Sequence, residues 1–218
     1  ALRQILNKEL HPETNDYTLT GSAAWEPTSL WCHLCGQQHL LSKFSPERRE
    51  LHLKCPACSS EPGDYVSTNS GLEMLGETKS LKPALNRLTK WSSIYYRTAL
   101  REGSVSCVEC GHIIDLRFGM PENCSTWMRQ RKSWIICLFC EHCHSRCHTT
   151  LDSLSFSLPE VKEFRRKYPR IRTLPLHYIQ FEGANAMLTT YESVTNNSRI
   201  EVISSLESFE ALKIAGGQ

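Results

Sequence analysis

The chain has 218 residues, of which 40% are hydrophobic and 22% charged, and its formal net charge is +2. This composition is typical of a folded protein and excludes a wholly disordered chain. No apolar run reaches the roughly 18–20 residues that a transmembrane helix requires, so membrane-spanning helices are excluded as well. The net charge by itself gives no argument for a nucleic-acid partner.

The unusual feature is the set of eleven cysteines, accompanied by nine histidines. Ten of the cysteines fall into closely spaced sets, and only Cys124 is isolated. Repeated two-residue gaps are typical of metal-binding turns in a reducing compartment, whereas extracellular disulfide frameworks spread their cysteines more evenly. We therefore expect a cytoplasmic, metal-binding protein.

The first predicted element is a helix from Ala1 to about Glu9, followed by a polar break over residues 11–16. The helix begins without a capping residue, so we expect the chain to be a fragment of a longer protein.

The first metal motif lies in residues 25–62. It consists of two Cys-x2-Cys pairs with 19 intervening residues. Residues 39–44 and 51–54 within that interval have the pattern of two short strands around a polar turn. A hairpin of this kind brings four thiolates into a tetrahedron, which suits Zn²⁺. The motif predicts a zinc ribbon whose ligands are Cys32, Cys35, Cys55 and Cys58.

A linker and a long helix are predicted over residues 63–103. Residues 59–80 are rich in serine, glycine and acidic side chains, as linkers are. From Ser80 to Arg101, apolar residues recur at steps of three and four, which predicts an amphipathic helix. We expect this helix to bridge two ribbons and to present its basic residues to solvent.

A second zinc ribbon is predicted over residues 104–156. Cys107 and Cys110 form the first pair, and the strand predicted over residues 133–139 leads directly into Cys140 and Cys143. This order favours a second Zn²⁺ site formed by Cys107, Cys110, Cys140 and Cys143. The alternative ligands at this site are Cys137, Cys147, His142, His144 and His148.

The run from Cys137 to Cys147 permits a different assignment. Its cysteine spacing is that of a bacterial ferredoxin cluster motif, although His148 stands where that motif has a proline. This assignment leaves Cys107 and Cys110 without a role. An iron–sulfur or zinc redox protein using this run is therefore an alternative, and redox sensitivity of Cys137 and Cys147 is a related hypothesis.

Two basic segments are candidate nucleic-acid-binding sites. The first lies between Trp127 and Trp134, where aromatic and basic residues alternate as in surfaces that stack bases, although a loop with one core tryptophan fits equally well. Its basic residues are Arg129, Arg131 and Lys132. The second follows a short helix predicted over residues 158–170, where positive charge is favourable in any protein. Its residues are Arg165, Arg166, Lys167 and Arg170.

The C-terminal region, residues 157–218, is predicted to contain that short helix and an antiparallel β-meander. The strands are expected at residues 177–181, 186–194, 199–204 and 209–214. No glycine-rich phosphate loop, nucleophile elbow or His-Glu-x-x-His helix occurs anywhere in the chain. We therefore expect no enzymatic activity and no small-molecule substrate.

Three short segments resemble two kinds of bacterial transcription regulator. The opening Ala1-Leu-Arg-Gln-Ile-Leu-Asn-Lys-Glu-Leu10 resembles the C-terminal end of an extracytoplasmic-function sigma factor. The run from Leu10 to Ala23 resembles the wing and exit of arsenic-repressor-type winged-helix regulators, as does Leu158-Pro-Glu-Val-Lys-Glu-Phe164. The resemblance implies that residues 1–24 are the tail or remnant of an upstream helix-turn-helix domain. It also implies a bacterial transcription factor.

Together these predictions describe an α+β protein with two small zinc ribbons joined by a long amphipathic helix, followed by a short helix and a β-meander. The expected function is a zinc-binding accessory or sensory region that serves as a platform for DNA, RNA polymerase or a partner protein. A pure protein-interaction module is the remaining alternative. Two four-thiolate zinc sites would lower the net charge to about −2.

Overall fold

A computed structural model describes residues 24–45, 50–59, 65–69, 81–119, 127–128 and 133–217. The predicted N-terminal helix, most of the predicted linker, Cys124 and the basic residues Arg129, Arg131 and Lys132 lie outside these ranges.

The first sheet contains the first pair of cysteine turns. Its four antiparallel strands follow chain order as β1 (Glu26–Trp31), β2 (His39–Ser45), β3 (Glu50–Lys54) and β4 (Ser67–Asn69). Strands β2 and β3 are the hairpin expected from the sequence, with Leu41 opposite Lys54. Leu40, Leu53 and Val66 are buried against the cysteines and form a small core around them.

The second sheet carries the other pair of cysteine turns, and the long helix α1 (Leu81–Glu102) packs against it. Its antiparallel strands are β5 (Ser104–Ser106), β6 (Ile113–Gly119), β7 (Ile135–Phe139) and β8 (Arg146–Thr150). Tyr96 and Ala99 of α1 are buried in one core with Ile114 and Ile136 of the sheet. In the described part of the chain, no helix has both the length and the apolar character needed to cross a membrane.

The third sheet is the expected meander with one additional strand. Its strands are β9 (Ile171–Thr173), β10 (His177–Phe181), β11 (Ala184–Ser193), β12 (Arg199–Ser205) and β13 (Ala211–Gly216). Strands β9 and β10 pair with successive parts of the same edge of β11. A 3₁₀ helix (Asp152–Ser157) and α2 (Pro159–Lys167) contribute Phe156, Val161 and Phe164 to its core.

The third sheet packs against the second. Met187 of β11 is buried in the same core as Ile114 and Ile136, and Phe209 packs at the edge of that core. Arg97 of α1 donates hydrogen bonds to the carbonyl oxygens of Phe209 and Leu154, at 3.2 and 3.4 Å. The meander is therefore part of the same packed structure as the second cysteine group.

The predicted fold class is wrong. Strands account for 43% of the structure and helices for 24%, in three antiparallel sheets with one main helix. Helix α1 is not a bridge between two separate ribbons, because Tyr96 and Ala99 are buried in the core of the second sheet and Leu85 packs against the core of the first. Each predicted hairpin is also widened by outer strands, of which β4 and β5 have only three residues. Periodicity cannot reveal strands that short, since they exist only through their pairing with neighbours.

Candidate metal centres

The four Cys-x2-Cys turns close in the same way. In each, the amide four residues after the first cysteine donates to the carbonyl of that cysteine, at 2.7–3.0 Å. The donors are Gly36, Ser59, Gly111 and His144. Three of them have positive φ: 65° at Gly36, 77° at Gly111 and 58° at His144. This left-handed turn lets later amides approach sulfur, as the Gln37 amide does at 3.5 Å from Cys35 Sγ.

The first cysteine group has the geometry of a metal site. The four cysteines predicted as its ligands have their sulfur atoms within 4.8 Å of one another. The Sγ atoms of Cys32 and Cys58 are 4.0 Å apart, and those of Cys35 and Cys55 are 3.8 Å apart. A tetrahedral ion with metal–sulfur bonds of 2.3 Å places its sulfurs about 3.8 Å apart, whereas a disulfide needs about 2.05 Å. The spacing fits metal coordination and not a disulfide.

The second group contains the favoured set of ligands, Cys107, Cys110, Cys140 and Cys143. The sulfur separations are 3.6 Å for Cys107 and Cys143 and 3.5 Å for Cys110 and Cys140. The hydroxyl of Ser145 lies 3.2 Å from the Cys107 sulfur and 3.3 Å from that of Cys143. A hydroxyl in this position stabilises thiolate charge.

Within each group, the pKa of some thiols is raised and that of others is lowered. The hydrogen bond with Cys58 and burial both raise the pKa of Cys32. Burial raises the pKa of Cys55 to about 11. At Cys107 burial opposes ionisation, but the Ser145 hydroxyl and the Glu109 amide outweigh it and lower the pKa to about 6. Metal binding at Cys32 and Cys55 must therefore displace protons.

Four of the alternative ligands, Cys137, Cys147, His144 and His148, lie outside the second four-cysteine group. Cys137 is opposite His148 in the pairing of β7 and β8, whereas Cys147 is opposite Leu138. Adjacent residues of a strand point to opposite faces, so Cys137 and Cys147 are on opposite sides of the sheet. The structure therefore does not gather the Cys137–Cys147 run into one cluster, and it pairs Cys140 and Cys143 with Cys107 and Cys110 instead. His144 and His148 belong to neither four-cysteine group.

The remaining alternative ligand, His142, belongs to a further group of possible ligands, in which the partner His112 was not predicted. His112 and His142 stack with ring centroids 3.7 Å apart and an interplanar angle of 13°. One nitrogen of each ring and the Cys110 sulfur lie within 4.8 Å of one another. The sequence feature that could have indicated this group is the position of His112, two residues after Cys110. The Cys107 amide donates a hydrogen bond to the His112 carbonyl, which holds His112 beside the cysteine turn.

The first cysteine turn is held against the third sheet. Both the amide and the hydroxyl of Thr173 donate to the His33 carbonyl, at 2.9 and 2.8 Å. The His33 ring meets Phe156 edge-on at 5.2 Å. A Cβ atom on Gly36 would lie 2.8 Å from Val194 Cγ1 and 2.9 Å from the Ile171 oxygen. This close approach explains why glycine ends the turn.

Arg170, a predicted phosphate ligand, belongs to the same contact. Its guanidinium lies 4.5 Å from the centre of the Trp31 ring and donates to the Gly36 carbonyl at 3.3 Å. The structure therefore places Arg170 between the first and third sheets.

The other basic residues of the 165–170 cluster also have protein partners. Arg165 stacks over the Phe156 ring at 4.7 Å. Arg166 donates to both carboxylate oxygens of Glu163, at 2.6 and 2.9 Å. Lys167 lies 5.2 Å from the ring centre of its neighbour Tyr168. These contacts account for the four side chains without a bound phosphate.

The two tryptophans of the other basic segment have different environments. Trp127 is 7% exposed, and its indole donates to the Tyr65 carbonyl at 2.8 Å. Trp134 is 52% exposed and lies beside Phe118, which is 42% exposed, with ring centroids 6.3 Å apart. Tyr178, 43% exposed, accepts a hydrogen bond from the Trp134 backbone. We call Phe118, Trp134 and Tyr178 the aromatic surface.

In comparisons with known proteins, no family model, curated protein or solved structure matches the chain. The described residues contain two four-cysteine groups that are positioned to bind metal ions.

Proposed function

We propose that both four-cysteine groups hold structural Zn²⁺ and that the chain is a non-catalytic binding scaffold. The observation that supports this proposal is the sulfur separation of 3.5–4.0 Å within the groups. Four thiolates complete the coordination of zinc and leave no open position for a substrate or water. Zinc in such a site contributes folding free energy and does not act as a Lewis acid.

The scaffold needs that contribution because its cores are small. Among the described residues, the core around Cys32 and Cys55 consists of buried Leu40, Leu53 and Val66, with a few partly buried residues such as Leu30 packed against it. An apolar cluster of this size stabilises a fold weakly, and small domains commonly add a metal for this reason.

We infer that this scaffold acts in a bacterial transcription factor, where it contacts DNA, RNA polymerase or a partner protein in the cytoplasm. The inference is supported by the resemblance of residues 1–23 and 158–164 to bacterial regulators. It is tested by mixing the purified chain with core RNA polymerase and with duplex DNA. Binding to neither would exclude DNA and RNA polymerase as its partners.

Elemental analysis of the full chain tests the metal assignment. We expect two zinc per chain, no iron and no visible colour. The variant Cys137→Ser/Cys147→Ser should retain both metals, because neither residue belongs to a four-cysteine group. Iron with visible absorbance, or loss of a metal from this double variant, would contradict the proposal and favour the redox alternative.

A second candidate function is the binding of single-stranded nucleic acid by the aromatic surface. The observation that favours it is the exposure of Trp134, directly before β7, and of Phe118 on the adjoining strand β6, close in sequence to Arg129, Arg131 and Lys132. Exposed rings flanked by basic residues stack bases while the cations neutralise phosphates.

Fluorescence anisotropy with a labelled oligonucleotide tests this function. Trp134→Ala should weaken binding by roughly 1–3 kcal/mol, the value of one stacked base. Leu212→Ala is the matched control, since Leu212 is a similarly exposed apolar residue on another sheet. Equal affinity of Trp134→Ala and the wild type would count against this surface.

A further inference from the structure

The stacked imidazoles of His112 and His142 lie beside the second four-cysteine group. Both rings are exposed, and their centroids are 3.7 Å apart. His112 follows Cys110 by two residues, and His142 lies between Cys140 and Cys143. The two cysteine turns that assemble the second group therefore also bring these rings together.

The three potential ligand atoms are close enough to share one ion. One nitrogen from each histidine and the Cys110 sulfur all lie within 4.8 Å of one another. With zinc–nitrogen bonds of 2.0–2.1 Å and zinc–sulfur bonds of 2.3 Å, tetrahedral neighbours lie about 3.4–3.6 Å apart. Because an imidazole nitrogen binds a metal in the plane of its ring, at least one of the two stacked rings must rotate out of the stack when the ion binds.

The electrostatic setting favours a cation at this point. A divalent ion bound by four thiolates leaves a net charge of about −2 on the second group. The exposed carboxylates of Glu109 and Glu141 lie in the same turns. Of these, Glu141 is 3.6 Å from Arg117, which offsets part of its charge. A thiolate has further lone pairs, so Cys110 can bridge two ions.

We propose that His112, His142 and the shared Cys110 thiolate form a third, exchangeable site for a divalent transition-metal ion. Three protein ligands leave one position open to water, as in an open zinc site, and imidazole with thiolate suits Zn²⁺, Ni²⁺ or Cu²⁺. The inference rests on the proposed function, because it requires a metal in the second four-cysteine group.

Calorimetric titration of Zn²⁺ into the full chain that already holds two zinc tests the proposal. We expect one further equivalent to bind, more weakly than the resident ions. His112→Ala/His142→Ala should lose this event while retaining two zinc. His144→Asn is the matched control, since asparagine tolerates the positive φ of 58° and His144 lies in the same turn.

Absence of a third event in a wild-type chain holding two zinc, or its persistence in the double variant, would overturn the inference. Fewer than two resident zinc would overturn the proposed function as well. If the double variant loses a resident ion, the proposal is tested instead by following the imidazole NMR signals of the wild type during the zinc titration. A third equivalent must then shift the signals of His112 and His142 and leave His177 unchanged.

Discussion

At the scale of single residues, the two four-cysteine groups differ most in their surroundings. Ser145 places one hydroxyl within 3.3 Å of two sulfurs of the second group. In the first group, the Ser59 hydroxyl instead accepts a hydrogen bond from the Cys55 amide, at 3.3 Å. Among the described residues, a hydroxyl contact that stabilises thiolates directly is therefore found at the second group and not at the first.

We predict that Ser145→Ala weakens metal binding at the second group by about 10–100-fold, the usual effect of removing an outer hydrogen-bond partner. Competition with a chromogenic chelator measures the affinity, and the first group serves as an internal reference. Ser106→Ala is the control, because Ser106 is an exposed serine in the same sheet. Equal affinities in Ser145→Ala and the wild type would show that the hydroxyl contributes nothing.

Glu192 is the second residue whose surroundings allow a prediction. Its side chain is 1% exposed and accepts hydrogen bonds from Arg172 at 2.8 Å and Arg199 at 2.5 Å. Burial alone would raise the pKa of this carboxyl, but the two guanidinium groups hold the pKa below its ordinary value of 4.5. Because the pKa is lower in the folded state, ionised Glu192 stabilises the fold at pH values above its ordinary pKa of 4.5. This stabilisation is lost as the pH falls through the folded-state pKa.

We therefore expect Glu192→Gln to lower the free energy of unfolding at pH 7 by about 1–3 kcal/mol, because charged hydrogen bonds are lost. The variant should also lose less stability than the wild type as the solution is acidified below pH 4.5. Urea unfolding at several pH values measures both effects. Glu207→Gln, at an exposed position, should match the wild type in this assay.

At the scale of elements, the junction between the first cysteine turn and the third sheet is the most constrained contact. Gly36 and Gly111 occupy equivalent places in their turns, with φ of 65° and 77°. A Cβ on Gly36 would collide with Val194 and the Ile171 oxygen, whereas one on Gly111 would meet nothing within 4 Å. An alanine at Gly111 therefore tests the cost of backbone strain alone, whereas an alanine at Gly36 tests strain and a packing clash together.

We predict that Gly111→Ala costs about 1–2 kcal/mol, the cost of a left-handed conformation for a residue with a side chain. Gly36→Ala should cost clearly more, since the first turn must also move away from the third sheet. Thermal unfolding with both metals bound gives the comparison. Similar losses of stability in the two variants would mean that the contact between the first turn and the third sheet accommodates the added methyl group without a measurable loss of free energy.

At the scale of the whole molecule, the three cores depend on the cysteines to different degrees. The cores of the first and second sheets include metal-ligand candidates such as Cys32 and Cys107. The core of the third sheet contains Phe164, Tyr191 and Val202 but no cysteine. Metal binding should therefore stabilise the first two sheets more than the third.

Hydrogen exchange of the full chain with and without a strong chelator tests this expectation. We predict that metal removal lowers the protection of amides in β2, β3, β6 and β7, while the amides of β11 and β12 keep most of theirs. Mass spectrometry measures the exchange of each segment, and the comparison holds whichever metal the chain binds. Uniform loss of protection across all three sheets would instead indicate one cooperative unit.

The sequence determined the parts of this protein that rest on local spacing. The Cys-x2-Cys pairs predicted both four-cysteine groups, and alternation with turn residues located the β2–β3 hairpin and most of the meander. Helix α1 was expected from Ser80 to Arg101 and lies at Leu81–Glu102. These features depend on neighbours in the chain, so their residue patterns suffice.

Tertiary structure alone decided what these elements pack against. The sequence pattern marks the apolar side of α1 but not that Tyr96 and Ala99 belong to the second sheet. It likewise cannot show that Arg170 contacts Trp31 or that His112 stacks on His142. Such contacts join residues far apart in the chain, and their energy depends on the complete three-dimensional packing, which no local pattern records.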